Sequence, residues 1–282
     1  MILSTHAATQ TVPPAQGPLL LAGAALLLYL VAALPAIVRA PAMLRLSAAA
    51  LVGGWLLHLV LLVVDISGFG QPQPGARLGF GPVLSMTVWL VIAVHTVESR
   101  LVPLPAVRVA LALCGGVAVL LAAGFPGESK VHSAPLAPLH FVLGVGSYGL
   151  FGAAVLHALM LDAAERRLRQ GALATPGAGH TFGLPLLQLE RLTYRFVEAG
   201  FAVLTATLLL GALTAGGWRL EHKTVFSLLA WGVFAALLLG RRLRGWRGRR
   251  ATRWLYAGAA LLLLAYAGTR FVWEVLLGRA TA

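Results

Sequence analysis

Acidic residues and cysteine are what this chain has least of: nine Asp and Glu, and the single Cys114, among 282 residues. One thiol allows no intramolecular disulfide and no metal or iron–sulfur centre built from cysteines. Charged residues make up only 11% of the chain, where soluble domains carry about 25%. That shortage, set beside 59% hydrophobic residues and a mean hydropathy of +0.85, excludes a cytosolic enzyme, a disulfide scaffold and a disordered chain. A nucleophile–base pair, a phosphate loop and an H-E-x-x-H motif are also missing, so no catalytic constellation is expected. What is there reads as an all-α, polytopic integral membrane protein.

A hydrocarbon core about 30 Å thick takes roughly 20 apolar residues per helix. Stretches of that kind fall at about 18–38, 47–66, 79–98, 105–125, 138–162, 193–215, 224–240 and 254–275, which predicts eight spans. A short segment, 1–17, precedes them without a basic n-region, so a cleaved signal peptide is not expected. With that count and the N-terminus outside, sixteen Lys and Arg fall on the inner side, Arg108 and Arg195 at the inner starts of their spans among them, and five on the outer side, with Arg270 well inside a span. The bias orients the chain with both ends outside, in the periplasm. The net charge of +13 is thereby topology and anionic headgroups, with no nucleic-acid role expected. Only 163–192 is long between spans. Its Gly/Pro/Thr-rich middle reads as a cytoplasmic linker within one membrane domain, 18–275, after an amphipathic extension of the fifth helix.

Polar groups inside such spans cost energy and carry the functional information. His58, in GGWLLHLVLLV, lies at or beyond mid-membrane. Two readings stay open for it: a neutral imidazole bonded to a neighbouring hydroxyl or carbonyl, or a haem or metal ligand. His140 follows the proline that opens the fifth helix at the outer face. His95 and Glu98 form an i, i+3 pair near an inner end, and His157 adjoins the basic ERRLR. Arg270 and Glu274 stand at i, i+4 near the outer rim, where Arg270 either snorkels or meets an anionic ligand group. The glycines of GVGSYG, 144–149, lie inside a span and predict close helix packing rather than phosphate binding.

Three stretches carry a resemblance: WLLHLVLLVVDISGFGQPQPGARLGFGPVLSMTVWL, APLHFVLGVGSYGLFGAAVLHALMLDAAERRLR, and the long run from LERLTYRFVEAGF through GGWRLEHKTVFSLLAW and GWRGRR to LAYAGTRF. In this order, across eight spans, they resemble the cytochrome c assembly protein family of haem-handling proteins, and within it the bacterial YpjD-like branch. The resemblance implies a multi-pass protein of the bacterial inner (plasma) membrane. It further implies noncovalent haem b near the outer face, beside a tryptophan-rich loop flanked by outer histidines.

Carried over position by position, the resemblance places His58 on the first membrane histidine and His140 on the first outer histidine. Both are then candidates for axial ligation of haem iron. The loop corresponds to 216–231, which makes Trp218, Glu221, His222 and Trp231 haem candidates, with Arg270 as a propionate partner. The chain departs from the pattern in three places. Leu220-Glu221 stands where the motif has Trp-Asp, Leu239 falls at about the second membrane histidine, and FVWEVLLGRATA lacks the second outer histidine. Two expectations follow. The first is an accessory protein of cytochrome c assembly whose partners are haem, lipid and other assembly proteins. The alternative is a membrane scaffold or regulator that has lost haem and docks a cytoplasmic partner on the Arg241–Arg253 loop. An ion or small-solute transporter ranks behind both, because the carboxylates lie toward helix ends.

Overall fold

Long apolar runs leave the backbone no partner in lipid except itself, and the described residues are accordingly almost entirely helical. The computed structural model describes residues 16–38, 40–68, 76–98, 105–127, 129–130, 136–170, 186–214, 221–268 and 271–272. The helices are α1 (Gln16–Ala33), α2 (Pro41–Ser67), α3 (Phe80–Glu98), α4 (Pro105–Gly124), α5 (Ala137–Arg169), α6 (Leu186–Thr214), α7 (His222–Arg244) and α8 (Gly248–Leu263). Seven of them are long and apolar enough to cross a membrane. The regular part of α8 has 16 residues and continues as a π-helical turn, Leu264–Gly268.

Several helices run past the apolar stretches. α2 starts at Pro41, where proline at the first helical position costs no backbone bond. α5 runs on to Arg169 and α6 begins at Leu186, so both project beyond their apolar stretches at the arginine-rich end. α2 and α7 stop at Gly68 and Gly245, which adopt the left-handed conformation that helix C-termini favour.

Two apolar cores organise the bundle. One is built on Ala25, Tyr29 and Ala32 of α1, Leu51 of α2, Ile92 of α3 and Leu111 and Ala112 of α4. The other is built on Phe151 and Ala158 of α5, Val197 of α6, Phe234 and Leu237 of α7 and Leu255 of α8. The linker after α5 divides five helices from three along the chain, whereas packing groups α1–α4 and α5–α8, with Met160 and Leu161 of α5 reaching into the first core.

The joint between the two groups is α3 on α5. A Cβ on Gly149 would stand 2.6 Å from a Leu90 methyl, and one on Gly152 would stand 2.7 Å from Val91. Small residues let helices approach where the hydrophobic effect offers no drive, so the GVGSYG segment does serve packing. At one end of the bundle, Ala76–Arg77 (β1) pairs antiparallel with Ser129–Lys130 (β2), and the Tyr266 hydroxyl donates to the Leu78 carbonyl at 2.7 Å. Tyr148 of α5 donates to the Leu262 carbonyl at 2.5 Å, next to the π turn.

At the other end, the α7–α8 turn is closed by Trp246, which is buried beneath Gly240. Its amide donates to the Gly240 carbonyl, and the Arg250 guanidinium lies 4.3 Å from its ring centroid. A methyl on Gly240 would stand 2.5 Å from the indole. Gly240→Ala is therefore expected to cost about 1–2 kcal/mol by overpacking, read as a lower Tm of the purified protein; an unchanged Tm would show that the indole swings aside freely.

Candidate functional site

Two places hold the candidate residues. The first lies within the α1–α4 group. His58 of α2 is 1% exposed, and both its ring nitrogens are taken. Nδ1 is 2.9 Å from the Tyr29 hydroxyl of α1, and Nε2 is 2.6 Å from the Ser85 hydroxyl of α3. Whichever nitrogen carries the proton, one hydroxyl accepts from the ring and the other donates to it. Glycines make the room: a Cβ on Gly115 would stand 2.7 Å from the Tyr29 ring, and one on Gly54 would stand 3.2 Å from it.

One turn away, Trp55 and Trp89 stack at 4.9 Å with their planes 8° apart. Each indole N–H donates to the other residue's carbonyl, at 3.2 and 3.0 Å, which clasps α2 to α3. For His58 this is the arrangement of the first reading, a buried imidazole bonded to hydroxyls. Iron ligation by Nε2 would require giving up Ser85.

The second place is the end of α5 nearest the start of α7. His140 is exposed there, in the first turns of α5. Its ring rests on α6 at Gly211, where a Cβ would stand 3.0 Å from Cε1, beside the Thr207 backbone and on the side of Lys223. Glu221 precedes the first turn of α7 and His222 opens it, both exposed. The Lys223 ammonium pairs with Glu221 at 2.8 Å. His140, Glu221, His222 and Lys223 therefore share one end of the second helix group.

Trp231 does not join them directly. Its indole N–H donates to Thr205 at 2.9 Å, and its ring stacks on Phe201 at 5.5 Å. At about 100° per residue, Phe201 and Thr205 lie on a face of α6 about a third of a turn from Thr207 and Gly211. Trp218 and Arg270 fall outside the described residues. Leu239, at the position of the second membrane histidine, is 55% exposed and turned out of the bundle.

Sequence reasoning missed Tyr29, Ser85, Gly211 and the Trp55–Trp89 clasp. The signal for Tyr29 was present, since a lone hydroxyl in LLLYLV needs a partner. Glu98, close enough to His95 to act on it as the i, i+3 spacing expects, also makes a contact to His157 of α5 at 3.1 Å. Glu98 closes α3 beside the arginine-rich end of α5, and the neighbouring helix offers its own imidazole.

Comparison with known proteins gives the family. Residues 19–277 match the family described as cytochrome C assembly protein. The inner membrane protein YpjD of Escherichia coli (strain K12) is 30% identical over 225 residues, which cover 78% of this chain and 83% of that protein. The cytochrome c biogenesis protein CcsA of Prochlorococcus marinus (strain MIT 9313) is 34% identical over 117 residues, 37% of each chain. A CcsA of Gloeobacter violaceus is 34% identical over 89 residues, 30% of this chain and 26% of that protein.

Proposed function

Since the chain belongs to the cytochrome c assembly protein family, we propose that it is a haem-handling accessory protein of the bacterial inner membrane, in which the His140 imidazole would hold noncovalent haem b. The observation that carries the reading is the contrast between the two histidines. The His140 ring is presented at the surface against Gly211, with one ring nitrogen bonded to the Thr207 backbone, while both nitrogens of His58 are spent inside the protein. Haem supplies its own redox chemistry when bound. The protein's part is to orient and to bind: His140 offers a nitrogen, and Lys223 sits where a propionate can exchange for Glu221. The apolar flanks of α6 and α7, with the Phe201–Trp231 stack, face the porphyrin's kind of surface. The role proposed is assembly rather than catalysis.

Eight spans with both termini outside suit the packing. α8 starts against the arginine-rich end of α5, through Thr252 and Tyr256 to Asp162 at 3.1 and 2.9 Å. It ends beside Leu78 and Phe80 at the opposite end of the bundle. It thus runs the same depth as α3.

The test is the visible spectrum of protein purified from cells supplied with haem, oxidised and then dithionite-reduced. The expected result is a Soret peak that shifts on reduction. A featureless spectrum would favour the second reading, a scaffold that docks an acidic cytoplasmic partner. One observation speaks for that reading: Arg242, Arg244, Arg247, Arg249, Arg250 and Arg253 are all exposed on the turn that Trp246 holds in shape.

A further inference from the structure

Arginine stands on both sides of the α7–α8 turn, and the two sides differ electrostatically. α7 ends in Arg241, Arg242 and Arg244, at the carbonyl end of a helix, which favours cations. α8 opens the other way round. Arg247 precedes it without a side-chain cap, its first turn holds no acidic residue, and Arg249, Arg250 and Arg253 fall in its first two turns. Cations there face the positive end of the helix dipole. Arg249 and Arg253 also stand at i, i+4, where like charges repel.

The neighbouring carboxylates are committed elsewhere. Glu165 pairs with Arg169 at 3.7 Å, and Glu190 stands 3.8 Å from Arg241 and 3.4 Å from Arg247. Asp162 accepts from Thr252 and Tyr256. Arg250 lies over the Trp246 ring. Among the described residues no carboxylate pairs with Arg249 or Arg253, and both are exposed. Ala257 and Ala260 are exposed on the same face of α8. At about 100° per residue the four positions span less than a quarter of a turn. Guanidiniums at the start and short apolar side chains beyond them complement an anionic head followed by an acyl chain.

Depth favours lipid over a protein partner. A Cβ on Gly248 would stand 3.4 Å from the Glu165 carboxylate, and α5 runs on from there to Arg169. Arg247 meets Glu190, and α6 begins a turn earlier, at Leu186. One turn of helix is about 5 Å, so the start of α8 is set back by that much behind the ends of α5 and α6. A bilayer's headgroup layer is about 5–8 Å thick on each side, so lipid reaches the recess, whereas a folded partner meets α5 and α6 first.

We propose that this face of α8 docks an anionic phospholipid, its phosphate held between the Arg249 and Arg253 guanidiniums and its chain laid along Ala257 and Ala260. The phosphate accepts from both guanidiniums, as arginine–phosphate pairs do, and supplies the negative charge that the opening of α8 lacks. The site is independent of haem.

The experiment uses the full chain in nanodiscs of phosphatidylcholine with a rising share of phosphatidylglycerol. It reads Tm and the phospholipid that stays on the protein when it is released into a mass spectrometer. The wild type is expected to retain phosphatidylglycerol out of proportion to its share and to gain Tm as that share rises. Arg249→Gln/Arg253→Gln is expected to lower the preference about 30-fold, the effect of taking two arginines from an anionic lipid surface. In phosphatidylcholine alone its Tm is expected to equal or exceed that of the wild type, because two cations leave the start of a helix. Arg242→Gln/Arg244→Gln removes the same charge from the end of α7 and is expected to keep most of the preference. Equal losses in the two pairs would show attraction to the whole turn and overturn the site. A wild type indifferent to phosphatidylglycerol would overturn it as well, whether or not the variants fold, and would assign these arginines to an acidic protein partner.

Discussion

Gly81→Ala is expected to destabilise the protein by about 3 kcal/mol, at the upper end of what overpacking costs. Gly81 is in the first turn of α3, and its amide donates to the Phe125 carbonyl at 3.3 Å where α4 ends. A methyl there would press on the Leu121 carbonyl, and would stand 2.7 Å from the Phe125 oxygen and 2.8 Å from Ala122 Cα. All three are backbone atoms, which cannot rotate away as a side chain end can. The penalty also overrides the gain of up to about 1 kcal/mol that alanine brings over glycine inside a helix. Gly232→Ala isolates that gain, because nothing lies within 4 Å of its Cβ position. In thermal unfolding of detergent-purified protein, Gly232→Ala should match or exceed the wild type and Gly81→Ala should fall well below it. Equal values for the two would mean that α3 and α4 separate freely.

His58→Leu is the second large effect expected. The substitution removes two hydrogen bonds and leaves the Tyr29 and Ser85 hydroxyls facing an apolar side chain. An orphaned buried hydroxyl costs about 1–3 kcal/mol, while hydrogen bonds between membrane helices average only about 0.6 kcal/mol. Between these limits the variant should lose about 2–4 kcal/mol. Removing the orphans as well, in Tyr29→Phe/His58→Leu/Ser85→Ala, should recover most of it, because an apolar set of similar shape carries no unmet polar group. Recovery in the triple variant, read by Tm, identifies the trio as structural. A triple variant no better than His58→Leu would place the value of His58 elsewhere, with ligation the first alternative.

How far the sequence alone reaches is visible in these residues. Apolar length marked the helices, and the clustering of arginine at one end marked which ends belong together. The helix ends were less legible: α2 begins at Pro41 and α5 extends to Arg169 because a helix need not stop where lipid does. His58 stood out by its cost, but its partners lie 29 and 27 residues away along the chain with no local period to reveal them. Glu98 had an imidazole at i, i+3 and bonded another on a different helix. The glycines of 144–149 announced close packing, though not that Leu90 was the side chain approached. At the opposite end of α5, His140 was legible from its place after Pro138. Gly211, which gives its ring a seat, was one small residue among many in α6.

The central claim is that His140 supplies the axial nitrogen to haem. Its most direct test is His140→Gly, purified with haem in the growth medium and examined before and after addition of imidazole. His140 is exposed, so the substitution should leave Tm near the wild-type value. The predicted result is loss of the Soret absorbance, most of which returns when free imidazole occupies the vacated position. A His140→Gly spectrum identical to the wild type without imidazole would contradict the account and move the iron to another ligand.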